Sequence, residues 1–174
     1  FTTNGLVGTH LIALCGDHGM LEVQAAGLLA IMGIFDLVGT TASGWLTDRY
    51  DPRKLLFVYY ALRGLSLIYL PYSDFSFYSL SIFAIFFGLD WIATVPPTLR
   101  LTTEAFGERD AAIVFGWIVA GHQLGAATAA WMAGAIREAQ GSYMMAFIIS
   151  GATGLIAAVI ALRIGKQQLT AQPA

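Results

Sequence analysis

Apolar residues run along this chain in long blocks, separated by short polar turns. Ala25–Leu46 is apolar or small except for Asp36, and Leu55–Tyr72 is apolar except for Arg63. About 20 such residues carry a helix across the hydrocarbon of a bilayer. Helices are therefore predicted over about Val23–Leu46, Leu55–Tyr72, Tyr78–Leu99, Ala112–Ile136 and Tyr143–Leu162. Pro96-Pro97 is expected to bend or end the Tyr78–Leu99 helix in its last turn, because proline removes an amide and crowds the preceding turn. Phe1 to about Cys15 is apolar but too short to span, so it reads as the outer part of a helix cut short, and the chain as a fragment. Gly16-Asp17-His18-Gly19, the Pro71–Ser76 stretch and Arg137–Ser142 are expected turns. Arg100–Asp110 is an expected polar loop of mixed charge, and Gly165–Ala174 a polar tail.

Composition turns this pattern into a fold class. The 174 residues are 57% hydrophobic and 11% charged, against about 25% charged in ordinary soluble domains. The prediction is an all-α, polytopic membrane helix bundle of six transmembrane helices, the first truncated. The single cysteine, Cys15, excludes an intrachain disulfide. Basic residues are asymmetric: Arg49, Arg53, Lys54, Arg100, Arg109, Arg163 and Lys166 fall on one side of the topology and Arg137 alone on the other. Positive charge marks the cytoplasmic side, which places the 48–54 turn, the 100–110 stretch and the C-terminus inside.

The densest charge is the turn after the second helix, where Gly44, Asp48, Arg49, Arg53 and Lys54 stand. This turn resembles the signature loop of major facilitator superfamily transporters, G-x-x-x-D-[RK]-x-G-[RK]-[RK]. Gly44, Asp48 and Arg49 match in register, and the basic pair Arg53-Lys54 comes one residue late. The motif's second glycine is Asp51 here, followed by Pro52; Asp-Pro suits the N-cap and first position of the next helix. The resemblance implies half of a twelve-helix major facilitator fold. The short tail favours the C-terminal half over 1–174, helices 7–12, built from inverted repeats of about 1–72 and 78–164. It also implies that the loop latches the cytoplasmic gate against the other half, with Asp48 accepting from free amides at a helix N-terminus.

Charge inside a membrane costs about 2.5–3.5 kcal/mol at a helix centre on insertion scales, so each such group needs a reason. Asp36 lies eight residues before Gly44 and Arg63 eight after Leu55. At about 1.5 Å per residue both sit some 12 Å from the same turn, so a pair between them is expected, either as a fixed clamp or as a contact broken and remade during transport. Asp90, beside Trp91, also approaches the midplane, as do His122 and Gln123, while Asn4, Thr9 and His10 are polar positions in the first helix. Phe35-Asp36 further resembles the aromatic-Asp element of proton-coupled monocarboxylate transporters, in which an Arg follows one turn later; here that residue is Thr40. The resemblance to the superfamily implies that Asn4, His10, Asp36, Asp90, His122 and Gln123 line the solute and proton pathway, with Arg63 beside it. Gly121, Gly125 and Ala129 recur every fourth residue, and Gly151 and Gly154 stand in the last helix; such spacing lets helices approach closely.

These features predict a secondary transporter of a small solute working by alternating access, coupled to protons. A proton-linked monocarboxylate or organic anion carrier, a drug or metabolite efflux pump, and a non-transporting receptor or scaffold on the same fold remain open. No GxxxxGK[ST] loop occurs, and no His-Glu-x-x-His, so neither an ATPase module nor an enzyme is expected, and no metal or cofactor. The expected partners are the solute, H+, the lipid bilayer and the other six-helix half, not nucleic acid. The expected location is the plasma (inner) membrane.

Overall fold

The computed structural model describes residues 2–164; Phe1 and the 165–174 tail, with Lys166, lie outside the described residues. Those residues form six helices and no strand: α1 (Thr2–Asp17), α2 (Glu22–Thr47), α3 (Pro52–Tyr69), α4 (Phe77–Asp90), α5 (Val95–Gln140) and α6 (Met144–Leu162). A 3-10 turn, Leu70–Tyr72, extends α3. Among the described residues, four helical stretches are long and apolar enough to cross a membrane: Glu22–Thr47, Pro52–Tyr72, Phe77–Gln140 and Met144–Leu162.

The 64-residue stretch Phe77–Gln140 is not one rod. It breaks at 91–94, between α4 and α5, and again at Gly107, whose φ of 77° and ψ of 163° suit only glycine. Two observations correct the reading of this region. Pro96 and Pro97 open α5 rather than ending α4, since the first helical turn needs no amide from them. Arg100–Asp110 is helical on both sides of Gly107, not a loop.

The helices pack chiefly as three pairs: α3 on α6, α2 on α4, and α1 on α5. Glycine makes all three pairs close: a Cβ at Gly5 of α1 would run into the backbone of Ala126 on α5. A Cβ at Gly151 of α6 would lie 2.6 Å from the carbonyl oxygen of Gly64 on α3, and one at Gly88 of α4 would lie 2.6 Å from that of Met32 on α2. By contrast, Gly121 meets only open space, so the expected small-residue stripe of α5 does not make contact along its whole length, although Ala129 is buried and Gly125 half-buried. Between the pairs, Leu6, Leu11, Leu28, Met32, Leu67, Phe87 and Phe147 form the main core. Leu37, Trp117, Leu124, Trp131 and Ile156 face outward, which fits apolar surroundings better than water.

Basic side chains close helix ends at the signature loop. Asp51 accepts from the backbone amide of Arg53 at 2.9 Å with Pro52 at the first helical position, the N-cap read from the sequence. Arg53 Nε donates to the carbonyl of Ile164 at 2.8 Å, and Arg100 donates to that of Thr47. Both acceptors are terminal carbonyls, where the helix dipole favours a cation. Arg49 lies over the Trp45 ring at 3.9 Å, and Asp48 and Lys54 are exposed.

Candidate functional site

The break at 91–94 strands backbone groups deep in the helix bundle. Pro97 lacks the amide that would reach the carbonyl of Ala93, and the turn diverts the amide of Val95 to Ile92 at 2.9 Å, leaving the carbonyl of Trp91 without its helical donor. Where no water is at hand, each such group must find another partner. Side chains from three helices supply them. Ser43 Oγ of α2 donates to the carbonyl of Ala93 at 2.5 Å. Arg63 Nη2 of α3 donates to the carbonyls of Asp90 and Trp91, the latter at 3.0 Å. Asn4 Nδ2 of α1 donates to Trp91 as well, at 3.2 Å. The amide of Ile92 donates to Asp36 Oδ1 at 2.9 Å, and Thr40 donates to the same oxygen at 3.2 Å.

Arg63 is the hub. Its Nε donates to Asp90 Oδ2 at 2.9 Å and its Nη1 to Asn4 Oδ1 at 2.9 Å. Arg63 is 2% exposed and Asp90 6%, so the pair is removed from solvent and its attraction is little screened. Only a planar fork of donors can serve a carboxylate, an amide and two carbonyls together, which a lysine could not. Asp90 Oδ1 is buried and has no hydrogen-bond partner among the described residues. The expected Asp36–Arg63 pair is therefore corrected. Both groups do lie at one depth, but Arg63 pairs with Asp90, and Asp36 binds the same helix break through an amide.

Two cavities flank this knot. One, of about 260 Å³, is bounded by Asn4, Tyr60, Trp91, Thr94, Phe115 and His122, among others, and joins α1, α3 and α5. The other, of about 590 Å³, is a cleft between α3 and α4 that runs from Arg63 and Asp90 to Ser73 and Ser79 near the α3–α4 turn. Of the residues singled out in the sequence, Asn4, Asp36, Arg63 and Asp90 thus come together at the break, and His122 shares a cavity with Asn4. His10 lies apart: its ring nitrogens meet Tyr143 OH at 3.0 Å and the carbonyl of Ala130 at 2.8 Å, tying α1 to α5 and α6. Gln123 is exposed on α5. Arg137 holds Asp17 with two bonds, 2.6 and 2.9 Å, at the end opposite the signature loop.

Ser43 and Tyr60 were missed from sequence. Pro96-Pro97 announces missing amides inside an apolar block, so hydroxyl donors nearby could have been sought, but nothing in a linear sequence says which helix brings them.

Comparison with known proteins accords with this geometry. The profile of the Major Facilitator Superfamily matches residues 2–173. The chain is 31% identical over 145 residues to monocarboxylate transporter 13 of Rattus norvegicus, covering 82% of this chain and 34% of that protein. It is 31% identical over 155 residues to monocarboxylate transporter 12 of Rattus norvegicus, covering 87% and 32%. An uncharacterised MFS-type transporter of Bacillus subtilis, YcxA, is 29% identical over 112 residues, covering 60% and 26%. The chain spans about a third of the length of the monocarboxylate relatives it matches. A match over nearly its whole length, on an all-helical bundle with membrane-crossing helices, makes this chain an integral membrane protein and a member of the major facilitator superfamily.

Proposed function

We propose that the chain is the C-terminal six-helix half of a secondary transporter that moves a small organic anion by alternating access, coupled to protons. The observation that carries this reading is the buried Arg63–Asp90 pair at a break in a membrane helix, beside a cavity lined by Asn4 and His122. A carboxylate that gains a proton gives up its charge, and its hold on Arg63 weakens. The guanidinium then has a charge to offer a solute carboxylate, so proton and anion load together. The names of the monocarboxylate relatives favour an anionic solute, and Arg63 takes the part of the arginine replaced by Thr40. Asp36 and His122 belong to the same pathway, His122 as a titratable neighbour of the cavity; His10 and Gln123 are further candidates on its approaches.

In this reading the other six helices complete the cavity, and the signature loop, the 100–110 stretch and the C-terminus are cytoplasmic in the plasma membrane. Asp48, exposed beside the loop, latches to a helix N-terminus of the missing half. The test is uptake of labelled short-chain monocarboxylates by the full-length protein in proteoliposomes, with and without an inward proton gradient. Gradient-dependent accumulation that a protonophore collapses is expected. Uptake indifferent to the gradient would remove proton coupling, and no uptake of any monocarboxylate would return the efflux and scaffold readings to the front.

A further inference from the structure

The cleft between α3 and α4 has a chemical feature that its mostly apolar walls do not explain. At its inner end stands Asp90, 6% exposed, with Oδ1 lacking any hydrogen-bond partner among the described residues. Towards its outer end Ser73 Oγ is likewise buried and unpartnered. Tyr59, Ser66, Tyr69 and Ser79 also border the cleft, with Ser66 Oγ donating to the carbonyl of Arg63 at 2.8 Å. Ser73 follows Arg63 by ten residues, just past the 3-10 turn that extends α3, a separation on the order of 15 Å at helical rise. A buried acceptor without a donor costs about 1–3 kcal/mol or more, and water bridging polar groups is the usual remedy where there is room. A volume of about 590 Å³ gives that room. The cavity holding Asn4 and His122 lies on the other side of the knot and shares neither Ser66, Ser73 nor Ser79.

We propose that this cleft is a hydrated proton entry, running from the α3–α4 turn to Asp90 Oδ1 and separate from the solute cavity. It deepens the proton-coupled reading and rests on it. A hydronium at the inner end gives its proton to Oδ1 and leaves as water; the new O–H bond forms on the oxygen that Arg63 does not hold. No electrons move. The charged and titratable groups around this event are Arg63, Tyr59 and Tyr69 of α3 along the cleft, with Asp36 of α2 across the break and Tyr60 of α3 and His122 of α5 on the far side of the knot. The cleft reaches the ion pair directly, while the solute cavity reaches it through Asn4, whose Oδ1 accepts from Arg63 Nη1 at 2.9 Å, so proton and anion load from opposite sides of the knot.

The test uses the full-length protein in lipid with Cys15→Ser as background and Ser66→Cys within the cleft. Infrared difference spectroscopy follows the protonated-carboxyl band that appears on acidification and is absent from Asp90→Asn. A trimethylammonium-bearing thiosulfonate, which cannot cross the bilayer, is added from the side of the α3–α4 turn. The expected result is that Ser66→Cys reacts and that deuterium exchange of the Asp90 band then slows by about tenfold, as for a fixed charge on the route at an effective dielectric of about 20. Exchange at the unmodified rate, or a Ser66→Cys thiol that does not react, overturns the cleft as the entry. If no band is lost in Asp90→Asn, the proton-coupled role of Asp90 fails, and the cleft's role with it. Ser79→Cys, at the outer end, repeats the measurement should Ser66→Cys not fold.

Discussion

At the scale of single residues, Arg63 and Asp90 cannot be removed one at a time without consequence. Arg63→Met leaves a buried carboxylate unpaired, which costs about 3–5 kcal/mol, strips the carbonyl of Asp90 of its side-chain donor and leaves that of Trp91 with Asn4 alone. Thermal unfolding of the full-length protein should show that loss. Adding Asp90→Leu should recover the electrostatic part but not the carbonyl part, so the double variant falls between wild type and Arg63→Met. A double variant no better than the single one would mean that the pair does not couple. Exchanging the two charges, with Asp90 as the partner of Arg63, should recover more folded protein than the corresponding swap with Asp36. Asp17 makes a separate prediction. Hydrogen bonds from Arg137 hold its carboxyl below the usual carboxylate range. The stabilisation is complete above the unfolded value of about 3.9 and is lost as pH falls through the lower folded value. Asp17→Asn should therefore flatten the acid limb of a melting-temperature profile below about pH 4 and leave its slope near neutrality unchanged; the contact is exposed, so the effect is small.

At the scale of helices, the break at 91–94 is where sequence and structure part. Blocks of apolar residues placed α2, α3 and α6 within a few residues, and Asp51-Pro52 fixed where α3 begins, because those signals are local. Depth was legible too: counting from the signature turn put Asp36 and Arg63 at one level. Which way Arg63 turns was not, since that depends on how α3 sits against α4 and α6. Gly64 and Gly151 set α3 on α6 while Gly88 sets α4 on α2, and the partners of each are remote in sequence. The direction of Pro96-Pro97 was misjudged for the same reason: proline ends one helix or opens the next, and only the neighbouring donors settle which. Two substitutions probe these contacts. Ser43→Ala leaves the carbonyl of Ala93 without its donor and should cost about 1–3 kcal/mol, measured by unfolding of the full-length protein; Ser43→Thr, which keeps the hydroxyl, should cost less. Gly151→Leu forces a side chain into the Gly64 backbone and should separate α3 from α6, read as lost folded yield, while Gly121→Leu, facing open space, should be tolerated.

At the scale of the whole molecule, the arrangement is a bundle whose polar interior is concentrated in one place. Three helices converge on the break in the fourth crossing, each giving a side chain that the broken backbone requires, and an ion pair closes the knot between two cavities. The resemblance to the family was legible in the signature loop, which sequence displays openly; the knot was not, because its members are drawn from positions 4, 36, 43, 63 and 90. The most direct test compares two kinds of flux through the full-length protein carrying Asp90→Asn, which keeps a hydrogen-bond acceptor for Arg63 but cannot exchange a proton. Proton-driven accumulation of a short-chain monocarboxylate should vanish while solute-for-solute exchange survives. Accumulation as strong as in wild type would contradict the assignment of the Arg63–Asp90 pair as the point where proton and solute are coupled.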